Sequence, residues 1–523
     1  MTRLAVSMAG HVALSMLRVG VSVLGGLITS ILIARVLGPS EFGTYRLALS
    51  LIWGLEVVST LAFPIATTKF VAELSATRGS GALGPVVRFF LVRASVMYAL
   101  AMVVLVAIRH RLASFYLDET LALLLMLAAL AVLPGLWTGL VSAGLRGRGR
   151  FGALGTLASI QALASLAGTG LILAAGGGAA ALLGLSAATN LVGLVLAVTF
   201  ALRDGLGRRQ PEAPLPSEMR RRMVRFGVLM GIMGALGGLL SERLEIFFLG
   251  RFWTPAEVGF YSLAMTLAFH IRRLGPGALG EVLFPVIAKL EGQRDAWGVG
   301  HAYVEATRYL SMAGVPLALG GALCAPAILR LLFGPQYLPA APALAMLFVV
   351  AGVLSLSHPA AAVILSQERH AFLLTTSLGL VVLNVALDLV LIPPYGAIGA
   401  AAANAVTQAV WLVLQTAFVA RWLRVAPPLA DVGRSLLAGA VAFAPAAGLT
   451  AWLASLGALA PLLSTVLALG LYPWALAACG ALTDADIRRL QAVEAALPKA
   501  VRRATGPALR GLHGWARAPR SAS

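Results

Sequence analysis

The sequence predicts an all-α polytopic membrane protein with about fourteen transmembrane helices, in two parallel six-helix lobes followed by two C-terminal helices. Three observations predict this fold. Hydrophobic residues make up 59% of the 523 residues and charged residues only 12%, whereas soluble proteins have about 25% charged residues. The apolar residues fall in stretches of about 20, the length that crosses a bilayer. One segment also occurs twice. Most of the chain is therefore expected to face lipid or other helices.

The apolar stretches follow one another along the chain, with one longer polar interval. They lie near 16–36, 44–64, 86–108, 120–144, 151–175, 179–202, 224–249, 256–276, 306–332, 339–364, 370–393, 397–420, 433–456 and 460–482. The polar interval is basic and contains three prolines, which indicates a linker between two halves. The predicted divisions are an N-terminal lobe at 1–202, a basic cytoplasmic linker at 203–225, a C-terminal lobe at 226–421, two further helices at 422–482 and a basic cytoplasmic tail at 483–523.

The basic residues predict the orientation. The chain has 40 Lys and Arg against 21 Asp and Glu, a formal charge of +19. With the N-terminus in the cytoplasm, the loops on the opposite side contain only Arg109, Arg111 and Arg251. Because cytoplasmic loops are enriched in Lys and Arg, both termini are predicted to be cytoplasmic, in a multi-pass protein of the cytoplasmic membrane. The excess of positive charge is then expected to set the orientation in the membrane, and it does not indicate nucleic-acid binding. The basic tail is expected to contact membrane lipids.

The repeated segment predicts how the helices are arranged. Residues 31–51 read ILIARVLGPSEFGTYRLALSL, and residues 247–267 read FFLGRFWTPAEVGFYSLAMTL. The two align at a constant offset of 216 residues, with Pro39, Glu41, Gly43 and Tyr45 among the matches. Since six predicted spans separate the copies, both begin on the same side of the membrane. The halves are therefore predicted to be parallel repeats, an arrangement typical of alternating-access transporters.

Four blocks of sequence, in order, carry a family resemblance: ARVLGPSEFGTY at 34–45, VGFYSLAMTL at 258–267, LLFGPQYLPAAPALAML at 331–347 and LNVALDLVLIPPYGAIGAAAANAV at 383–406. With the spans, they resemble Wzx-type polysaccharide or lipid-linked oligosaccharide flippases of the multidrug/oligosaccharidyl-lipid/polysaccharide exporter superfamily. The resemblance implies movement of an undecaprenyl-diphosphate-linked glycan to the outer leaflet, with no ATPase domain. It implies no cofactor, leaves coupling to Na⁺, H⁺ or membrane potential open, and makes polysaccharide assembly proteins candidate partners.

Ionisable groups at membrane depth are costly, so they are expected to face a cavity or a partner. Guanidinium groups suit phosphate oxygens. The predicted cavity cations are Arg18, Arg93, Arg243, His270, Arg272 and Arg273, with Arg46 a further candidate. For Arg18 an interfacial position is the alternative, and the resemblance favours the cavity. For His270 a packing role is equally open.

Five polar residues are candidates for gating or ion coupling: Glu56, Glu242, Glu245, Asn384 and Asp388. Glu56 is equivalent to Arg272 at the repeat offset, which predicts a pairing across the lobes. Glu242 and Glu245 are three apart and share a helix face, and the resemblance implies that a polar group here lines the central cavity. Asn384 and Asp388 are four apart and also share a face. A structural Asn–Asp pair is favoured, and a Na⁺ or H⁺ site at Asp388 is the alternative.

The sequence contains no catalytic constellation. Cys324 and Cys479 lie in apolar runs and give neither a metal site nor a disulfide framework. Gly147, Gly149 and Gly152 match a dinucleotide fingerprint only formally, because no strand precedes them. No catalytic residues, no metal and no enzyme activity are predicted. The alternatives are a cation-coupled multidrug antiporter and, more weakly, an integral-membrane glycosyltransferase or polymerase, which the short outer loops disfavour.

Overall fold

The computed structural model describes residues 2–78, 83–205, 215–274, 276–367, 369–484, 486–489 and 491. Within these ranges the fold is all-α, as predicted. The helices are α1 (Thr2–Thr60), α2 (Phe63–Arg78), α3 (Leu83–Phe115), α4 (Leu121–Gly147), α5 (Phe151–Ala174), α6 (Ala179–Arg203), α7 (Ser217–Gly238), α8 (Leu244–Phe252), α9 (Pro255–Leu274), α10 (Pro276–Gly292), α11 (Ala296–Leu332), α12 (Ala341–Ser355), α13 (Ser357–Ser366), α14 (His370–Leu423), α15 (Leu429–Trp452) and α16 (Leu459–Ala478). A π-helical turn at Leu239–Arg243 joins α7 to α8, and 3₁₀ turns lie at Pro335–Ala340 and Ala454–Leu456.

Two helices continue through positions predicted as loops, and each is divided by a glycine. Helix α1 has 59 residues and is broken at Gly38, whose φ is 75°. Helix α14 has 54 residues and is broken at Gly396, whose φ is 55°. The sequence predicted a short outer loop at each place. The chain instead turns at a single glycine because glycine alone adopts positive φ without steric cost, and Pro39 then starts the next helical segment with its preset φ.

Other predicted boundaries also differ. The predicted span at 339–364 is divided among a 3₁₀ turn, α12 and α13, because the helix ends at Ser355. The predicted linker at 203–225 is partly helical, since α7 begins at Ser217 directly after Pro216. The segment between the predicted spans at 256–276 and 306–332 contains α10 and the first ten residues of α11.

Ten helical runs in the described ranges are long and apolar enough to cross a membrane. Two of them, 24–75 and 371–423, have 52 and 53 residues. At about 1.5 Å per residue each would measure close to 80 Å if straight, which is far more than the ~30 Å of a hydrocarbon core. The protein is therefore a multi-pass membrane protein, and the count of fourteen spans stays a prediction.

The chain packs into two compact units. The first comprises Met1–Leu263 with Asn384–Ala400, and the second comprises Ala264–Leu383 with Ala401–Ser523. A core of the first unit is built from α2, α3, α4, α6 and α7, with Phe63, Phe70 and Phe90 fully enclosed. In the second unit, α11, α15 and α16 enclose Phe443 and Tyr472. The lobe boundaries proposed from the sequence stay predictions.

Candidate functional site

The two repeated segments each provide a helix cap. The Glu41 carboxylate accepts a hydrogen bond from the Ala179 backbone N–H at 2.7 Å, at the start of α6. The Glu257 carboxylate accepts one from the Ala397 N–H at 2.8 Å, directly after the break at Gly396. A carboxylate at a helix N-terminus satisfies a free donor and complements the helix dipole. The repeat therefore reproduces a specific contact as well as a sequence pattern.

The two repeat copies also touch each other within the first unit. A Cβ built on Gly43 would lie 1.7 Å from the Pro255 carbonyl oxygen, and one built on Gly259 would lie 2.3 Å from the Pro39 carbonyl oxygen. Each glycine thus meets the proline of the other copy. Only a residue without a side chain permits this backbone approach, so the reciprocal contact explains why glycine occupies the same place in both copies.

Arg243 stands at the centre of the strongest candidate for substrate handling. It ends the π-helical turn between α7 and α8, and such turns are frequent at functional sites. Its Nη1 donates to the Ser50 Oγ at 3.0 Å, and its guanidinium lies 5.6 Å from the centre of the Trp53 ring. Glu56, one helical turn beyond Trp53, is within electrostatic range. A cation, an aromatic ring and an acid therefore converge where α1 meets the π-helical turn.

The exposure of Glu56 indicates that this place is open. Its side chain is exposed, whereas Ser50 is fully buried. A carboxylate facing hydrocarbon would be costly, so an exposed one in this part of α1 fits a water-filled cavity. Gly238 adds to the shape, because a Cβ there would come within 2.2 Å of the Trp53 ring. The glycine lets the indole lie against the end of α7.

A second polar group is entirely buried in the same unit. The Asn384 side-chain amide donates to the Asp388 carboxylate at 3.2 Å and to the Glu245 carboxylate at 3.5 Å. All three side chains have no exposed surface. Two carboxylates that share one amide donor in a low-dielectric interior repel each other, and a cation or a proton beside them offsets that repulsion. The structure thus brings together three of the five predicted coupling residues.

The other predicted site residues are distributed differently. The side chains of Arg18, Glu242 and Arg273 lie outside the described residues. In the first unit, Arg93 stacks on Phe89, 3.5 Å from the ring centre. In the second unit, Arg272 lies 5.5 Å from the Phe269 ring centre and the half-buried His270 lies edge-on to the same ring. The predicted pairing of Glu56 with Arg272 stays a prediction.

Sequence reasoning missed the caps and the partners of Arg243. Glu41 and Glu257 were visible as repeat matches, but their partners are backbone N–H groups far along the chain. No side-chain pattern marks such a donor. Ser50 and Trp53 lie seven and ten residues after Gly43 in an apolar run, where nothing separates them from packing residues. Only the fold shows that they face the π-helical turn.

The fold and these residues define a multi-pass helical membrane protein. It is similar to the lipid II flippase MurJ in an inward closed conformation, with a TM-score of 0.68 and 14% identity, covering 88% of this chain and 98% of that one. It is also similar to an inward-facing MATE multidrug transporter of the MOP superfamily, with a TM-score of 0.63 and 15% identity, covering 78% and 99%. These likenesses establish the fold.

Sequence comparison identifies the family. Residues 32–342 match the family described as polysaccharide biosynthesis protein, and the chain belongs to that family. It is 22% identical over 257 residues to the probable low-salt glycan biosynthesis flippase Agl15 of Haloferax volcanii, covering 48% of this chain and 53% of the relative. It is 25% identical over 131 residues to the teichuronic acid biosynthesis protein TuaB of Bacillus subtilis, covering 25% and 26%. The chain thus spans about half or less of the length of these curated relatives.

Proposed function

We propose that this chain is a flippase that moves a polyprenyl-diphosphate-linked oligosaccharide across the cytoplasmic membrane by alternating access, for the synthesis of a cell-surface polysaccharide. Both termini lie in the cytoplasm in this proposal, and the protein acts without a catalytic step. Membership of the polysaccharide biosynthesis family supports the substrate class, as do the names of the relatives, one of which is a probable glycan biosynthesis flippase. Polysaccharide assembly proteins are the proposed partners.

The observation that carries the proposal is the surrounding of Arg243. A diphosphate linkage carries two negative charges on its acceptor oxygens. The planar guanidinium group of arginine can donate two N–H groups to two such oxygens at once. Arg243 is held by Ser50 and lies beside the exposed Glu56. In the proposed cycle the diphosphate displaces Glu56 as the anionic neighbour of Arg243. Exchange of one anion for another keeps the arginine balanced before and after transport.

The buried group of Glu245, Asn384 and Asp388 is the proposed coupling site. A bound proton or Na⁺ would offset the repulsion between the two carboxylates, and oxygen-rich ligands are the ones that hard cations prefer. Glu245 is two residues from Arg243, so both groups belong to the same short stretch around the π-helical turn. Occupancy of the coupling site is therefore proposed to bias the position of Arg243.

The alternative of a cation-coupled drug antiporter has one observation in its favour. The fold is also that of a MATE transporter, and the buried acids would suit cation coupling. The positive charge of Arg243 itself disfavours a cationic drug by direct repulsion. The flippase proposal is therefore preferred.

The test is translocation by the purified chain in liposomes. A labelled polyprenyl-diphosphate glycan is placed in the outer leaflet, and its transfer is scored by loss of access to an added reagent. We expect the rate of glycolipid transfer to exceed the rate in protein-free liposomes. Export of a cationic drug without lipid transfer would support the antiporter, and a glycan of altered length or a released diphosphate would support an enzyme.

The coupling proposal has its own test. Wild type and Asp388→Asn are compared in liposomes carrying a Na⁺ gradient, a pH gradient or no gradient. Wild type is expected to respond to one of the gradients, whereas the variant transports at the same rate in all three conditions. Equal responses of the two proteins would contradict a coupling role for Asp388 and leave the flippase proposal intact.

A further inference from the structure

A strongly basic surface lies beside α2 at the first turns of α3 and α7. We name it the basic patch. Its cations outnumber its acids by seven to two: Lys69, Arg88, Arg93, Arg220, Arg221, Arg222 and Arg225 against Glu73 and Glu218. The three helices share one apolar core, in which Phe70, Phe89 and Phe226 pack together. The patch is therefore a fixed surface of the first unit.

Carboxylates in the described ranges balance only part of this charge. Arg222 forms a two-pronged ion pair with Glu73, with N–O distances of 2.7 and 3.2 Å. Lys69 lies 4.0 Å from the Phe226 ring centre. By contrast, Arg88, Arg220, Arg221 and Arg225 are exposed and form no ion pair with any residue in the described ranges. Counted over the described residues, the patch keeps a positive surplus.

Two arginines of the patch, one on α3 and one on α7, interact electrostatically. The Arg93 Nη1 donates to the Phe89 carbonyl at 3.1 Å and its guanidinium lies 3.5 Å from the Phe89 ring centre, so the side chain is held in place. Arg220 of α7 is within electrostatic range of Arg93. Like charges in this arrangement repel each other, and neither has a carboxylate partner among the described residues. An anion between them would turn the repulsion into two charge-assisted contacts.

The surface next to these arginines faces lipid. In the most apolar 18-residue segment of α3, only 11% of the residues are buried. From Arg88 an exposed apolar stripe runs along the helix at spacings of three and four residues, formed by Val92, Val96, Leu100 and Val103. Residues at these spacings lie on one helix face. The charge therefore sits at the end of a hydrocarbon-facing stripe and not over an aqueous surface.

We infer that the basic patch binds the headgroup of an anionic membrane phospholipid, with its phosphate between Arg93 and Arg220 and its acyl chains along the α3 stripe. The combination of paired cations and an adjoining apolar stripe matches the two parts of such a lipid. The inference gives Arg93 a bilayer lipid in place of the transported diphosphate expected from the sequence. It does not depend on what the protein transports.

The experiment measures the thermal midpoint of the purified protein in detergent, titrated with phosphatidylglycerol or with phosphatidylcholine. A ligand that binds the folded state raises the midpoint. Wild type is expected to respond to phosphatidylglycerol and not to phosphatidylcholine. Arg93→Gln/Arg220→Gln is expected to need about 30-fold more phosphatidylglycerol for half of the effect, since each basic residue near anionic lipid contributes about a factor of five.

Two further double variants test whether the response depends on this site, and not on total charge or on misfolding. Arg109→Gln/Arg111→Gln removes the same charge from the other end of α3 and is expected to titrate like wild type. Arg93→Lys/Arg220→Lys keeps the charge and is expected to retain most of the response. The inference is overturned if the Gln pair at 93 and 220 titrates like wild type, if the pair at 109 and 111 loses the response equally, or if phosphatidylcholine or inorganic phosphate reproduces it. Loss of glycolipid transfer with an intact titration would count only against the flippase proposal.

Discussion

At the scale of single residues, Arg243 and Glu245 lie two residues apart at the π-helical turn but have different surroundings. Arg243 contacts Ser50 of α1, while Glu245 shares the Asn384 amide on α14. Two residues along a helix correspond to about 200° of rotation, so the side chains point to opposite sides. A single short stretch can therefore contribute a cation to an open site and an acid to a closed one.

The two repeat caps give a prediction at this scale. Glu41→Ala and Glu257→Ala each remove a charge-assisted bond to a helix N-terminus, and each is expected to lower the free energy of unfolding by about 1 kcal/mol. Glu257 should have the larger effect because it is less exposed than Glu41. Thermal unfolding in detergent measures both. Glu119→Ala, in an exposed loop position, is the matched control, and a loss there equal to the other two would contradict the capping role.

At the scale of helices, the sequence predicted the class and most of the spans. Long apolar stretches gave the positions of α3, α4, α5 and α6 within a few residues at most ends, because hydrophobic length is decisive in a bilayer. The glycine breaks at Gly38 and Gly396 were not predicted, since a loop and a single-residue turn have similar compositions. Among the site residues, the i,i+4 spacing placed Asn384 and Asp388 on one face, but no local pattern could assign Glu245 as their neighbour.

The contact between the repeat copies predicts that two glycines cannot be replaced. Gly43→Ala and Gly259→Ala force a methyl group against a backbone carbonyl of the other copy, and each is expected to cost about 3 kcal/mol or to abolish folding. The measurement is the yield of monodisperse protein and its thermal midpoint. At Gly54 a Cβ would meet nothing within 4 Å, so Gly54→Ala should be neutral or slightly stabilising. Normal folding of the Gly43→Ala and Gly259→Ala variants would refute the close contact.

The beginning of the tail is attached to the second unit by two ion pairs of unequal burial. Asp486 pairs with the nearly buried Arg308 and accepts a hydrogen bond from the Tyr309 hydroxyl at 2.7 Å. Arg489 pairs with Glu305 at 3.1 Å in a more exposed position. Arg308→Leu leaves a buried carboxylate without its cation and is expected to cost about 3–5 kcal/mol.

The matched change is Arg489→Leu, which should cost at most about 1 kcal/mol because its pair is exposed. Thermal unfolding and the rate of proteolysis after residue 482 measure both variants. Equal effects of the two changes would show that burial of the Arg308–Asp486 pair does not govern the attachment of the tail.

At the scale of the whole molecule, the positions of the basic residues divide them into groups with different proposed roles. Most of the 40 basic residues fall on the predicted cytoplasmic side, where they are predicted to set the orientation. We propose that smaller groups bind particular anions. Arg243 stands in an open site with an exposed acid, and the basic patch stands beside lipid. The overall charge of +19 is thus accounted for by a predicted topology, a proposed substrate site and a proposed lipid site.

The most direct test of the proposed function is the rate of glycolipid translocation in liposomes for wild type, Arg243→Lys and Arg243→Gln at equal protein density. Wild type is expected to transfer the polyprenyl-diphosphate glycan. Loss of one charged contact to a phosphate corresponds to about 1.5–3 kcal/mol, so Arg243→Gln should be at least about tenfold slower, with Arg243→Lys in between. No transfer by wild type, or equal rates for wild type and Arg243→Gln, would contradict a diphosphate-linked substrate handled by Arg243.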